Sequence, residues 1–353
     1  MCVKYICTTF LGNNILDSVS LFCYVLGMEH EPKTLQEAIV YFSDPDRCFK
    51  FLMARRFAEG AYCPVCGAKD VRFIATRRLW ECKTKHPKRQ FSIKIGTIFE
   101  ESPIPLDKWL TAVWMIANCK NGVSSYEIHR ALGVTQKSAW FMLHRVRLAL
   151  RMGTFDKLGG DPESGVEVDE TYVGGRVKNM HSWKRNKLVR ESGDPNATKT
   201  IVMGMLDRSQ RKVRTVVVPN TSRQTLQTQV LKHVRYGSNV YTDESRSYSA
   251  LADKYVHEFV NHMETYVRGQ VHTNGLENFW SLFKRHLAGT YVAVEPCHMD
   301  AYLDEQVFRY NNRATPERPM KDADRFDLVL RNLVGKRITY KELTGKEGET
   351  EAF

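Results

Sequence analysis

The sequence predicts an α/β protein, a mixed sheet with flanking helices, preceded by a small metal-binding ribbon and a helix-turn-helix-like helical region. Three observations carry this expectation. The segment from Gly165 to Gly175 reads as a strand that holds acids among β-branched residues. A strand, strand, helix, strand pattern follows it over residues 200–243. Upstream, Cys63-x2-Cys66 is answered about fifteen residues on by Cys82-x3-His86.

Along the acid-bearing strand, side chains alternate between faces, so Val166, Val168 and Tyr172 share one and Glu167, Asp169 and Thr171 the other. An acid in a short apolar strand costs desolvation energy unless something offsets it, and a divalent cation is the usual partner.

Composition narrows the class. A chain of 353 residues holds two or three domains. A net charge of +12 favours an anionic partner, nucleic acid first. Nine irregularly spaced Cys argue against a secreted disulfide scaffold and for a reducing compartment. No apolar run reaches the ~18–20 residues that span a bilayer. The expected location is therefore the cytoplasm, in contact with the nucleoid, and no membrane partner is expected.

Residues 1–33 are read as an extension ahead of the folded region. They are either an unstructured tail or, up to Met28, a mis-called start, because the composition changes abruptly at Met28-Glu29-His30-Glu31. Residues 34–100 form a helical lead-in plus ribbon. Leu35, Ala38, Ile39 and Phe42, then Phe49, Leu52, Met53 and Phe57, recur at helical spacing. The spacing of Cys63, Cys66, Cys82 and His86 fits tetrahedral structural Zn²⁺. Redox motifs share the Cys-x2-Cys pattern, and it is the second pair that favours zinc. His86 stands where ribbons often carry a fourth Cys.

Within a region set at 101–158, residues 103–150 predict three helices. Ser124-Ser125-Tyr126-Glu127 is a capping box for the second, which stops at Gly133. The third starts with polar and basic residues, as a helix-turn-helix does. In that reading Gln136, Lys137 and Arg145 face duplex DNA; an ordinary helical bundle is the other reading.

Residues 159–320 form the third domain. After the central strand comes a basic insertion, 176–199, with Arg176, Lys178, Lys184, Arg185, Lys187, Arg190 and Lys199, placed to meet phosphates. Strands over 200–206 and 213–218, a helix over 221–235 and a strand ending at Asp243 follow. The first and fourth strands are expected to be neighbours, which sets Asp243 beside Asp169. A helix opens at Asn274, with Leu276, Phe279, Trp280, Phe283 and Leu287 as its buried stripe. Glu277 and Lys284 lie on an adjacent stripe, with Lys284 placed to touch a phosphate and Arg285 beside it. Residues 295–335 read as helical again, with Pro316 and Pro319 breaking the pattern; Arg309, Arg313 and Arg318 either meet DNA or form a solvated face, and the C-terminal tail set at 321–353 ends in a charged stretch, 336–353.

Val-Asp-Glu-Thr-Tyr-Val-Gly-Gly, Tyr-Thr-Asp-Glu and His-Thr-Asn-Gly-Leu-Glu-Asn-Phe-Trp-Ser-Leu-Phe-Lys-Arg resemble the catalytic segments of IS1595/ISXO2-like insertion-sequence transposases of the DDE superfamily. The likeness covers roughly residues 50–315 and includes Phe308-Arg309-Tyr310-Asn311-Asn312-Arg313. It implies an RNase H-like core and strand transfer dependent on two Mg²⁺ (or Mn²⁺) ions. Asp169 and Asp243 are then metal ligands. Glu277 is the expected third, because a carboxylate binds a hard cation better than an amide. Asn274 remains the alternative third residue, and His272 a further contributor. The resemblance also implies terminal inverted repeats and target DNA as partners, and a homodimer or larger synaptic complex. Two other readings stand beside it: a non-catalytic zinc-ribbon DNA-binding protein, and an RNase H-like nuclease without strand transfer.

Overall fold

The computed structural model describes residues 31–153, 156–174, 181–183, 186–187, 190, 199–243, 248, 251, 254–260 and 271–345. Two helices lead in. Thr34 caps α1 (Leu35–Phe42), its hydroxyl accepting from the Glu37 amide. Asp44 caps α2 (Pro45–Arg56), with Pro45 at the first position, where no amide hydrogen is needed. Of the expected extension, residues 1–30 lie outside the described residues. Glu31 already belongs to the fold, paired with Arg55 at 2.7 Å.

A three-stranded antiparallel sheet follows, β1 (Val71–Ile74), β2 (Leu79–Cys82) and β3 (Gln90–Ser92), in that order. Trp80 on β2 docks it, stacking on Phe91 at 5.8 Å and on Phe49 of α2 at 5.5 Å. These strands were not foreseen. They are three or four residues long and lack a period long enough to read.

Three helices come next: α3 (Leu106–Asn118), α4 (Ser125–Leu132) and α5 (Gln136–Leu150). The capping box at α4 is formed in both directions between Ser124 and Glu127. Gly133 ends the helix with φ of 61°, left-handed backbone that a β-carbon disfavours.

The third unit is a five-stranded mixed sheet of β4 (Gly165–Val173), β5 (Thr200–Asp207), β6 (Lys212–Val218), β7 (Asn239–Asp243) and β8 (Val256–Val260). Its spatial order is β6-β5-β4-β7-β8. β4 to β6 are antiparallel neighbours, whereas β4–β7 and β7–β8 are parallel. The first and fourth strands are thus neighbours, and β4 lies at the centre. One face packs on α6 (Arg223–His233), through Val166, Val168, Met203 and Met205 against Leu226 and Val230. The other face, through Val173, Val202, Leu206 and Val213, packs on α7 (Asn274–His286) and α8 (Met299–Asn311).

The C-terminal segment continues the stretch read as helical past the expected domain boundary at 320. Asp322–Arg331 is a helix, α9, and its Phe326, Val329 and Leu330 are buried in one core with α1, α2 and α3. Phe326 packs on Trp114 of α3 with ring centroids 4.8 Å apart. A last turn, α10 (Tyr340–Leu343), follows. Among the described residues, no helix is long and apolar enough to cross a membrane.

Candidate active site

β4 and β7 run parallel, with Glu167 opposite Tyr241. Asp169 and Asp243 each lie two residues beyond that pair, so both acids sit at the same end of adjacent central strands. Burial, and then the Asp243 charge, push the Asp169 carboxyl up to about 6, and the Glu277 charge adds to it. Glu277 lies in the first turn of α7 and is exposed. One turn later, Trp280 donates its indole hydrogen to Asp169 Oδ2 at 3.0 Å. This contact fixes α7 over the acids.

The strand pairing explains how Trp280 gets there. Asp169 is opposite Gly204 on β5. A β-carbon at Gly204 would fall 2.5 Å from the Trp280 ring. Gly275 is equally tight: a β-carbon there would lie 2.3 Å from Leu206 and 2.8 Å from Glu167 Oε2. Two glycines therefore let the helix lie directly on the sheet.

Glu167 shares the Asp169 face, but its oxygens are committed. Oε1 accepts from Arg208 Nε at 2.7 Å, and Oε2 accepts from the Leu276 amide at 2.9 Å. A carboxylate at the start of α7 satisfies an amide that the helix leaves open. His272 belongs to this cluster, with Nδ1 2.8 Å from Arg208 and 3.6 Å from Glu167 Oε1. Asn274, Lys284 and Arg285 are exposed on α7.

Glu170, not assigned from the sequence, points to the opposite face. Its Oε1 is buried without a hydrogen-bond partner among the described residues. Burial first, then the charges of Asp169 and Asp243, raise it to about 8. Adjacent acids at the centre of one sheet thus both resist ionisation, a condition that a bound cation relieves.

The ribbon gathers a tighter set. One ligand atom from each of Cys63, Cys66, Cys82 and His86 lies within 4.8 Å of the others. Cys63 Sγ is 3.4 Å from His86 Nε2, and Cys66 Sγ is 3.6 Å from Cys82 Sγ. A tetrahedron with Zn–S bonds of about 2.3 Å has edges of roughly 3.7 Å, so the donors fit that ion. His86 Nδ1 faces the Pro87 carbonyl at 2.7 Å, which leaves Nε2 for the metal side. Asp169, Asp243 and Glu277 do not close to 4.8 Å as a trio. A pair of ions about 3.5–4 Å apart needs a wider cage than one ion does.

Among the expected DNA contacts, Lys137 is exposed, with Nζ 4.6 Å from the Tyr340 ring centre. Gln136 donates to Ser125 Oγ at 2.9 Å, tying α5 to α4. Arg145 is a correction: it is buried, and it donates to the carbonyls of Ile98 (3.0 Å), Glu100 (2.6 Å) and Ile338 (3.2 Å). It holds protein rather than phosphate, because three carbonyls from two segments converge on it. Arg309 is likewise buried, between Glu305 and His286. Arg313 stacks on Tyr310, and Arg318 reaches the Asn311 carbonyl at 3.4 Å. Lys184 and Arg185 lie outside the described residues.

Comparison with known proteins agrees with this layout. Residues 157–311 match the ISXO2-like transposase domain, and residues 43–84 the transposase zinc-ribbon domain. An uncharacterised transposase-like protein of Haemophilus influenzae is 38% identical over 102 residues, which are 29% of this chain and 82% of that protein. An uncharacterised protein in transposable element ISH50 of Halobacterium salinarum is 28% identical over 255 residues, 70% of this chain and 84% of that one. A chain in the cryo-EM structure of the simian T-cell lymphotropic virus intasome with PP2A regulatory subunit B56 gamma overlaps 61% of this chain and 74% of its own length. It does so at 12% identity and a TM-score of 0.30. With its zinc ribbon and its transposase domain in matching order, the chain belongs to the IS1595 family of ISXO2-like transposases.

Proposed function

We propose that this chain cuts the ends of an insertion sequence and joins the freed 3′-hydroxyl to target DNA. The observation that carries the reading is the meeting of Asp169 and Asp243 at one end of two parallel central strands, with Glu277 close enough to raise Asp169 further. The strand order, three antiparallel then two parallel, supports an RNase H-like core.

Asp169, Asp243 and Glu277 are the proposed ligands of two Mg²⁺ (or Mn²⁺) ions, with Asn274 the alternative to Glu277. Such a pair, when bound, activates an attacking oxygen and stabilises the leaving oxygen of an in-line phosphoryl displacement. The chain's own residues do the positioning. Trp280 orients the Asp169 carboxylate, and Glu167 anchors the start of α7, the turn that carries Glu277. Lys284, two turns along the helix, is the proposed phosphate contact, with Arg285 and Lys137 as further DNA contacts. Residues 63–92 are the proposed zinc-dependent ribbon, and α4 with α5 the proposed helix-turn-helix. Holding two element ends together calls for a homodimer or larger synaptic complex.

The test is a strand-transfer assay with Mg²⁺ on inverted-repeat oligonucleotides, comparing wild type with Asp169→Ala. Joining by wild type alone supports the proposal. Cutting without joining leaves a nuclease, and equal products from both proteins overturn the assignment of Asp169.

A further inference from the structure

A further cluster of metal-binding side chains shares no residue with either site above. Glu295, Cys297 and His298 fall in the tight turn just before α8, and one ligand atom from each lies within 4.8 Å of the others. Cys297 Sγ and Glu295 Oε2 are 3.8 Å apart. Both are exposed, and they line a cavity of about 710 Å³ with Trp140, Tyr302 and Glu342. A fourth group stands against the turn. His144 of α5 is 3% exposed, and its Nε2 is buried without a hydrogen-bond partner among the described residues. Its ring centre lies 4.9 Å from that of His298. A buried imidazole nitrogen with no partner is costly, and metal coordination is one of the few ways to satisfy it.

We propose that Glu295, Cys297 and His298 form a second binding site for a zinc-class transition metal, with His144, packed against His298, the candidate for its fourth position. One thiolate, one or two imidazoles and one carboxylate suit Zn²⁺ or Co²⁺ and not Mg²⁺ or Ca²⁺, which take oxygen ligands. The site joins α5 to the turn that starts α8, so metal binding bridges the helical region and the sheet-bearing unit.

The experiment uses the full chain, stripped of metal and titrated with Co²⁺ alone as the probe, with Mg²⁺ in excess to occupy the carboxylates. Thiolate-to-cobalt absorption reports each site. Wild type is expected to bind two equivalents. Cys297→Ser is expected to bind one with the ribbon spectrum intact, and Cys63→Ser one with the other spectrum. His298→Asn is a second variant, expected to weaken the second equivalent by at least about tenfold; His144→Asn is expected to weaken it less. A single equivalent in wild type, or two in both Cys297→Ser and His298→Asn, overturns the site. Neither outcome bears on the strand-transfer reading, which needs only Asp169, Asp243 and the third ligand.

Discussion

Trp280 Nε1 donates to Asp169 Oδ2 at 3.0 Å, so the orientation of the half-buried acid is set by a helix that starts 105 residues later. Trp280→Phe keeps most of the packing and removes the donor. That hydrogen bond lowers the Asp169 pKa, so its loss raises it further. The acidic limb of the cleavage pH profile is expected to move to higher pH, with activity at neutral pH reduced about tenfold. An unchanged profile would show that the indole only packs. Gly204→Ala, which pushes the ring away, is expected to act in the same direction.

Asp169→Asn and Asp243→Asn should each lower strand transfer by about a thousandfold or more, since two-metal clamps supply several kcal/mol at the transition state. Thermal melting should stay within a few degrees of wild type or rise, because a neutral amide relieves repulsion between neighbouring acids. Residual joining within tenfold of wild type would remove these residues from the mechanism.

Glu170 titrates in the folded chain at about 8 against an ordinary 4.5. An acid with a raised folded pKa holds more protons folded than unfolded between the two values. Its contribution to stability therefore falls as pH rises through that window. In Mg²⁺-free buffer, the melting temperature of Glu170→Gln relative to wild type is expected to climb between pH 4.5 and pH 8. A constant offset across that range would show that Glu170 does not titrate as described.

Glu305 is fully buried and holds Arg147 through Nε at 2.6 Å, Arg309, and the Tyr291 hydroxyl at 2.5 Å. Glu305→Ala leaves two buried guanidinium groups facing each other. A loss of about 3–5 kcal/mol is expected from chemical denaturation, since removing one partner strands the other charge. A loss below 1 kcal/mol would mean that water enters the site.

Lys137→Ala is expected to weaken binding to element ends and to reduce the slope of log affinity against log salt by about one. Arg145→Ala should instead lower stability through its three lost carbonyl bonds and leave that slope unchanged in the protein that remains folded. The two variants behaving alike would contradict the burial of Arg145.

The sheet was largely legible in the sequence. Alternation in residues 165–173 and the hairpin across Asp207–Lys212 are local signals, and the expectation that β4 and β7 are neighbours came from strand order; their parallel direction came from the structure. β8 was missed, because Val256–Val260 offers five residues without a turn signal that marks it. The acids were legible as types in an order. The arrangement around them was not, because Trp280, Gly204, Gly275 and Glu167 meet only through strand register and helix docking. Arg145 misled for a related reason: a basic residue on a helix reads as a solvent-facing cation until distant carbonyls are known to surround it.

The three carbonyls that Arg145 gathers come from the exit of the ribbon and from the last stretch of the chain. The segment after residue 321 thus belongs with the helices and ribbon ahead of residue 150, and the sheet-bearing unit is an excursion between them. Anyone grafting the helical unit onto a relative's sheet-bearing unit must carry both of its segments across as one piece; a splice at residue 158 alone would tear that unit in two.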